Sequence, residues 1–118
     1  MRSDDALLLD MLLAARKIRQ FTSGMSQAGF NDSEMAQSAV IREIQVIGEA
    51  ARLVSNETKA KHTSILWSVI SGMCNRIIHE YFNIDLSIVW DTIRDDIPPL
   101  IEQLERIVPP ESEGDDAN

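Results

Sequence analysis

Val40-Ile41-Arg42-Glu43-Ile44-Gln45-Val46-Ile47-Gly48-Glu49-Ala50-Ala51-Arg52-Leu53-Val54 is the run that decides the fold. Val40, Ile44, Ile47, Ala51 and Val54 recur at steps of four, three, four and three. That spacing lays them along one stripe of an α-helix and suits the stripe to near-antiparallel packing against another helix. With Met35 placed at the head of the stripe, the helix is expected over about 33–54. Gly48 falls inside it, and a helical glycine costs roughly 1 kcal/mol against alanine. A close helix crossing would offset that cost. Glu49 beside it reads as a solvated or capping carboxylate.

The same period extends outward on both sides. Ser3 is an N-cap residue, and Asp4 and Asp5 suit the positive end of a helix. Leu7, Leu8, Met11, Leu12, Ala15, Ile18 and Phe21 then mark a helix over about 4–23 that stops at Gly24. Residues 23–30 read as a connection, with Phe30 the apolar residue ahead of an N-cap at Asn31 or Asp32. Residues 55–63 read as a polar loop in which His62 is exposed and without a role. Ile65, Trp67, Val69, Ile70, Met73, Ile77 and Ile78 mark a third helix over about 64–82. Asp85 caps a fourth, whose inner face is Leu86, Val89, Trp90 and Ile93. Pro98 removes a backbone donor and predicts a break near Asp96–Ile97, and Pro99 suits the first turn of a continuing segment that ends by Pro109 and Pro110.

The fold class that follows is all-α, an antiparallel four-helix bundle whose last helix is kinked near Pro98. Residues 1–110 form the helical domain, and 111–118 form a short acidic tail expected to be disordered. Ile41 and Ile70 lie off the main stripes and supply a second apolar face, from which a homodimer is expected.

Composition narrows the function classes. The 118 residues carry 11 Lys and Arg against 19 Asp and Glu, a net charge of −8, so a broad nucleic-acid-binding face is not expected. A local pocket stays open, a cleft that concentrates Arg76, His79 and Arg42 or Arg52 from two subunits, and so does a basic partner. One cysteine excludes an intramolecular disulfide framework and a multi-cysteine zinc site. No apolar run is long enough for a membrane span and no signal-peptide pattern opens the chain, so a cytoplasmic protein away from membranes is expected.

Reactive side chains concentrate in Gly72-Met73-Cys74-Asn75-Arg76-Ile77-Ile78-His79-Glu80-Tyr81-Phe82-Asn83-Ile84-Asp85. Asn75 and His79, four apart, share a helix face; Arg76 and Glu80, also four apart, share another. Tyr81 is two residues past His79, roughly 200° round a helix, and shares a site with it only if the helix ends there or a second subunit supplies the other wall. Spacing alone leaves several readings open. They are a polar helix face with a hydrogen-bonded histidine, a zinc site using Cys74 and His79, and a Cys–His nucleophile pair about 140° apart.

The run from Gly72 to Phe82 resembles the signature of HepT-like proteins of the HEPN superfamily, in which Arg is followed by Asn, then by His five residues after the Arg and Tyr two later. The resemblance extends to Ile47-Gly48-Glu49-Ala50-Ala51, to Trp67, and to Asn83-Ile84-Asp85 with Val89-Trp90, so it spans about residues 5–108. It implies a helical dimer whose motif helices form a cleft, and a metal-independent endoribonuclease that is the toxin of a toxin–antitoxin pair. The implied antitoxin is an MntA-type nucleotidyltransferase that uses ATP to transfer AMP to the motif tyrosine; the toxin itself has no cofactor. Carried over by position, His79 is the catalytic imidazole, Asn75 its polar support and Tyr81 the AMP acceptor; Arg76, outside the carried-over set, is a possible RNA contact across a dimer.

One position departs from the pattern: Cys74 stands where the motif has its arginine. Cysteine is short and neutral at pH 7 and does not replace a guanidinium as a phosphate clamp. Arg76 lies about 200° round the helix from it and is a poor substitute within one subunit. An impaired nuclease is therefore expected, either a variant one base change from an arginine codon or a natural degenerate member. The alternative is a non-catalytic HEPN dimer that binds a nucleotide or a nucleotidyltransferase.

Overall fold

Ser3 accepts a hydrogen bond from the Ala6 N–H at 3.1 Å and starts α1 (Asp4–Phe21) where its sequence places it. The computed structural model describes residues 2–79 and 84–109, with 78 and 79 by backbone alone. Further helices are α2 (Gln27–Asn31), α3 (Glu34–Leu53), α4 (Asn56–Lys61), α5 (Trp67–His79), α6 (Leu86–Asp91) and α7 (Ile97–Ile107). The described residues are all-helical: α1 packs on α3 and α7, and α3 on α5. No described helix is long and apolar enough to cross a membrane. The expected tail at 111–118 lies outside the described residues.

The α3 stripe forms the middle of the core. Val40, Ile44, Ile47, Ala51 and Val54 are all buried, beside Met11 and Ile18 of α1 and Ile101 and Leu104 of α7. Each fully buried Ile or Leu contributes on the order of 2 kcal/mol through apolar burial. Met35 is not part of that stripe: it is 84% exposed. Five residues separate it from Val40, a rotation of about 140° away from the core side. Ala36, four residues before Val40, takes the buried position instead. Phe21, expected at the end of the α1 stripe, is exposed; the helix stops there, and buried Thr22 turns its hydroxyl back onto the Ile18 carbonyl at 2.8 Å.

Two expected connections contain short helices. Ser26 caps α2, and the N-cap of α3 is Ser33 rather than Asn31 or Asp32. Ser55 caps α4 by accepting from the Thr58 N–H at 3.2 Å. The Asp4 carboxylate draws this turn onto the start of α1, accepting from the Ser55 hydroxyl at 2.5 Å and the Thr58 hydroxyl at 2.6 Å. Those bonds hold Asp4 below the usual carboxylate range. His62 is half-buried, and its carbonyl accepts the Trp67 indole N–H at 3.1 Å. The third helix begins at Trp67, later than the expected 64, with Ile65 buried ahead of it.

The expected interruption before Pro98 takes the form of a π turn over Thr92–Asp96, continuous with α6 before it and α7 after it. The Ile97 N–H donates to the Thr92 carbonyl, five residues back. Pro98 and Pro99 have no N–H to offer the next two carbonyls and their rings crowd an α-helical turn, so the wider winding relieves both. Asp85 caps α6 by accepting from the Ser87 N–H at 2.9 Å, as its position predicts. Trp90 stacks on buried Phe30 with ring centroids 5.5 Å apart. Thr92, buried, donates to the Ile88 carbonyl at 2.9 Å and lies 3.3 Å from Met73 Sδ, joining this rod to α5.

Candidate functional site

α3 and α5 approach closely at Gly48 and Cys74. A Cβ built on Gly48 would lie 2.8 Å from Cys74 Cβ and 3.2 Å from its Sγ. Cβ atoms essentially never come that close, so the crossing requires glycine at 48, which is the close approach its position in the stripe predicts. The residue 74 side chain runs along the space that glycine leaves.

Cys74 is 2% exposed. Burial pushes its thiol up to about 11 from the usual 9.0, so it stays protonated at neutral pH. A protonated, buried thiol is not an activated nucleophile, which removes the support for a Cys–His pair. Among the described residues no group of three or more His, Cys, Asp or Glu is placed to hold a metal ion.

Two hollows open on either side of this crossing, and Cys74 lines both. One, of about 240 Å³, is mostly apolar and lies among α3, α5 and α7, with Ile47, Met73 and Leu100 in its walls. The other is a groove of about 600 Å³ between α3 and α5, with Gly48 and Cys74 along it and Asn75 on its α5 wall. From α3 come Arg42, Gln45, Glu49 and Arg52, at spacings of three, four and three that keep them on one face. Arg2, Leu7 and Asp10 from the start of the chain also line it.

The structure therefore brings together two of the expected site residues, Cys74 and Asn75, with Arg42 and Arg52. Arg76 is exposed and is not among the groove's lining residues, in keeping with its rotation round α5. His79 ends α5 in backbone, one turn beyond Asn75; its side chain lies outside the description. Tyr81, Glu80, Phe82 and Asn83 lie outside the described residues. Arg2, Gln45 and Ser71 also line the groove and were not singled out by sequence. The polar positions 42, 45, 49 and 52 of α3 were the available signal, but such a face reads first as solvated.

The HepT-like family, described as ribonuclease HepT-like, matches residues 11–107. The chain is 34% identical over 106 residues to a Thermococcus cleftensis protein named a probable ribonuclease HepT, covering 90% of this chain and 96% of that one. It is 33% identical over 104 residues to a Methanocaldococcus jannaschii protein named as a candidate RNase, covering 88% of this chain and 95% of that one. A Caldanaerobacter subterraneus protein, also named as a candidate RNase, is 35% identical over 85 residues, covering 72% of this chain and 76% of that one. No solved structure gives a significant match. A family match over most of the chain, with relatives of nearly the same length, is decisive: this chain belongs to the HepT-like ribonuclease family.

Proposed function

We propose that the chain is built as the toxin ribonuclease of a toxin–antitoxin pair and that it is impaired as it stands because its phosphate clamp is missing. Residue 74 carries this reading. It lies at the α3–α5 crossing, beside Asn75 and along a groove with arginines in its walls, and it is a buried neutral thiol. In the family pattern that position is an arginine.

In the proposed reaction the ribose 2′-OH attacks the adjacent phosphorus and the P–O5′ bond breaks. His79 moves the proton, taking it from the 2′-OH or giving it to the departing 5′-oxygen. An arginine at 74 would neutralise the charge that builds on the phosphoryl oxygens. Cysteine at that position provides no such charge, which is the basis of the proposed impairment. The working unit is proposed to be a homodimer: Ile41 and Ile70, expected to supply its apolar face, are half-buried against the core, and the exposed apolar surface is that of Leu66, just ahead of α5, and Val69 on it. Tyr81 is the proposed acceptor of AMP, transferred from ATP by an MntA-type nucleotidyltransferase partner. The adenylate would bring negative charge and bulk to where an RNA phosphate sits.

The second reading, a dimer that binds a nucleotide or a nucleotidyltransferase without cutting RNA, draws on the same thiol at 74. Restoring the arginine separates the two. Cys74→Arg is expected to cleave RNA and slow growth on expression, and adding His79→Ala is expected to abolish both effects. An Arg-restored protein that leaves all cellular RNA intact would sink the nuclease reading. Mass spectrometry after co-expression with a neighbouring nucleotidyltransferase tests the switch: AMP on the Tyr81 peptide supports it, and an unmodified Tyr81 beside an active transferase counts against it.

A further inference from the structure

The groove over Cys74 has a local charge unlike that of the chain. The molecule carries −8, yet Arg2, Arg42 and Arg52 line this groove against Asp10 and Glu49, leaving one net positive charge. Two of those guanidiniums are already engaged. Arg2 makes a two-pronged pair with Asp10 at 2.8 Å, and Arg52 pairs with Glu49 at 2.6 Å. Arg42 is exposed and, among the described residues, makes no ion pair or side-chain hydrogen bond. It stands where the groove meets a smaller hollow of about 180 Å³ that also holds Lys17 and Glu43. Neutral hydrogen-bonding groups surround the same space: the Gln45 and Asn75 amides and the Ser71 hydroxyl.

One guanidinium without an ion pair, beside neutral hydrogen-bonding groups and with the groove's own carboxylates, Asp10 and Glu49, each held by another arginine, is the chemistry of a phosphate subsite. We propose that this groove holds a phosphate group, with Arg42 as its principal cation and the Asn75 amide as a neutral donor. Arg42 lies six residues before Gly48, about 9 Å along the helix axis, and lines the same groove as residue 74 from outside the motif helix. The proposal rests on the nuclease reading only for the source of the phosphate, an RNA diester; a free nucleotide presents the same chemistry.

The test uses the full chain and three phosphate-bearing probes: a fluorescein-labelled single-stranded RNA, ATP and inorganic pyrophosphate. Affinities are compared for the parent, Arg42→Ala, Arg42→Lys and Arg106→Ala, the last an exposed arginine of α7 outside the groove. Arg42→Ala is expected to weaken RNA binding roughly three- to tenfold at low salt and to reduce the slope of log K against log salt by about one. Arg42→Lys is expected to keep the slope and lose part of the affinity, and Arg106→Ala to change neither. Arg42-dependent binding of RNA without ATP assigns a diester; Arg42-dependent binding of ATP without RNA assigns a free nucleotide. Equal behaviour of Arg42→Ala and Arg106→Ala, or no binding of any probe, overturns the proposal. Cleavage by Cys74→Arg that is indifferent to Arg42 overturns this inference alone. Absence of cleavage with Arg42-dependent ATP binding overturns the nuclease reading and leaves the subsite standing.

Discussion

Gly48 and Cys74 form a matched pair across the α3–α5 crossing, one side chain absent so that the other can lie flat. A methyl group at 48 would sit 2.8 Å from Cys74 Cβ, an atom fixed to the backbone, so the helices themselves would have to separate. Gly48→Ala gains roughly 1 kcal/mol of helix propensity and loses about 1–3 kcal/mol to overpacking. We expect a net loss of about 1 kcal/mol in urea unfolding. Cys74→Ala, which keeps the Cβ, should not relieve it. Cys74→Gly should, so a double-mutant cycle between 48 and 74 should show favourable coupling with glycine at 74 and none with alanine.

The Cys74 thiol provides a pH test of its burial. Its pKa in the fold, about 11, exceeds the ordinary 9.0, so the folded state favours the protonated form. The stability this adds is complete below about pH 9 and is lost as pH rises through about 11. Between those values the parent should lose about 2–3 kcal/mol that Cys74→Ala does not lose. In the native protein at pH 8 a thiol reagent should react slowly, and unfolding in guanidinium should release full reactivity. Fast native labelling would contradict the buried placement.

At the start of α1, Asp4 has its pKa lowered by hydrogen bonds from Ser55 and Thr58. The sign is opposite to that of the thiol: its stabilisation is present above the ordinary carboxylate pKa and is lost as pH falls through the lowered one. Asp4→Asn should therefore melt at a lower temperature than the parent at pH 7, and the difference should shrink as pH falls through the lowered pKa. A pH-independent difference would point to lost packing instead.

Thr92 offers a test of the π turn. Its hydroxyl donates to the Ile88 carbonyl and lies against Met73 Sδ from a buried position. Thr92→Val keeps the shape and loses the hydrogen bond, with an expected cost of about 0.5–1 kcal/mol. The urea midpoint should fall with no change in the slope of unfolding, and Thr92→Ser should retain more of the stability.

The long helices were legible because their apolar spacing is redundant. Val40, Ile44, Ile47, Ala51 and Val54 specify one face five times over, and Gly48 inside that pattern pointed to a close crossing before its partner was known. Single residues at the edge of a pattern misled: Met35 looked like part of the stripe, but a five-residue step carries it off the core face. The short helices α2 and α4 escaped because one or two turns give no period to read, and their only marks are Ser26 and Ser55 as caps. Half the groove was legible too. Cys74 and Asn75 announce themselves within one motif, whereas charge alone offers Arg42 and Arg52 as cleft cations; their place beside residue 74 comes from α3 lying across α5, and no local pattern carries that.

The rod from Leu86 to Ile107 holds one amino acid more than its path requires. A π turn spends an additional residue on a length that α-helix would cover without it, so Thr92–Asp96 behaves as an insertion absorbed inside a continuous helix. Removing one residue there and replacing both prolines would let the rod run as plain α-helix while Trp90 stays on Phe30 and Leu104 stays in the core. The chain thus contains a built-in slack of one residue between the end of the molecule that closes over Phe30 and the end that closes over α1, and a shorter relative could lose that residue without disturbing either.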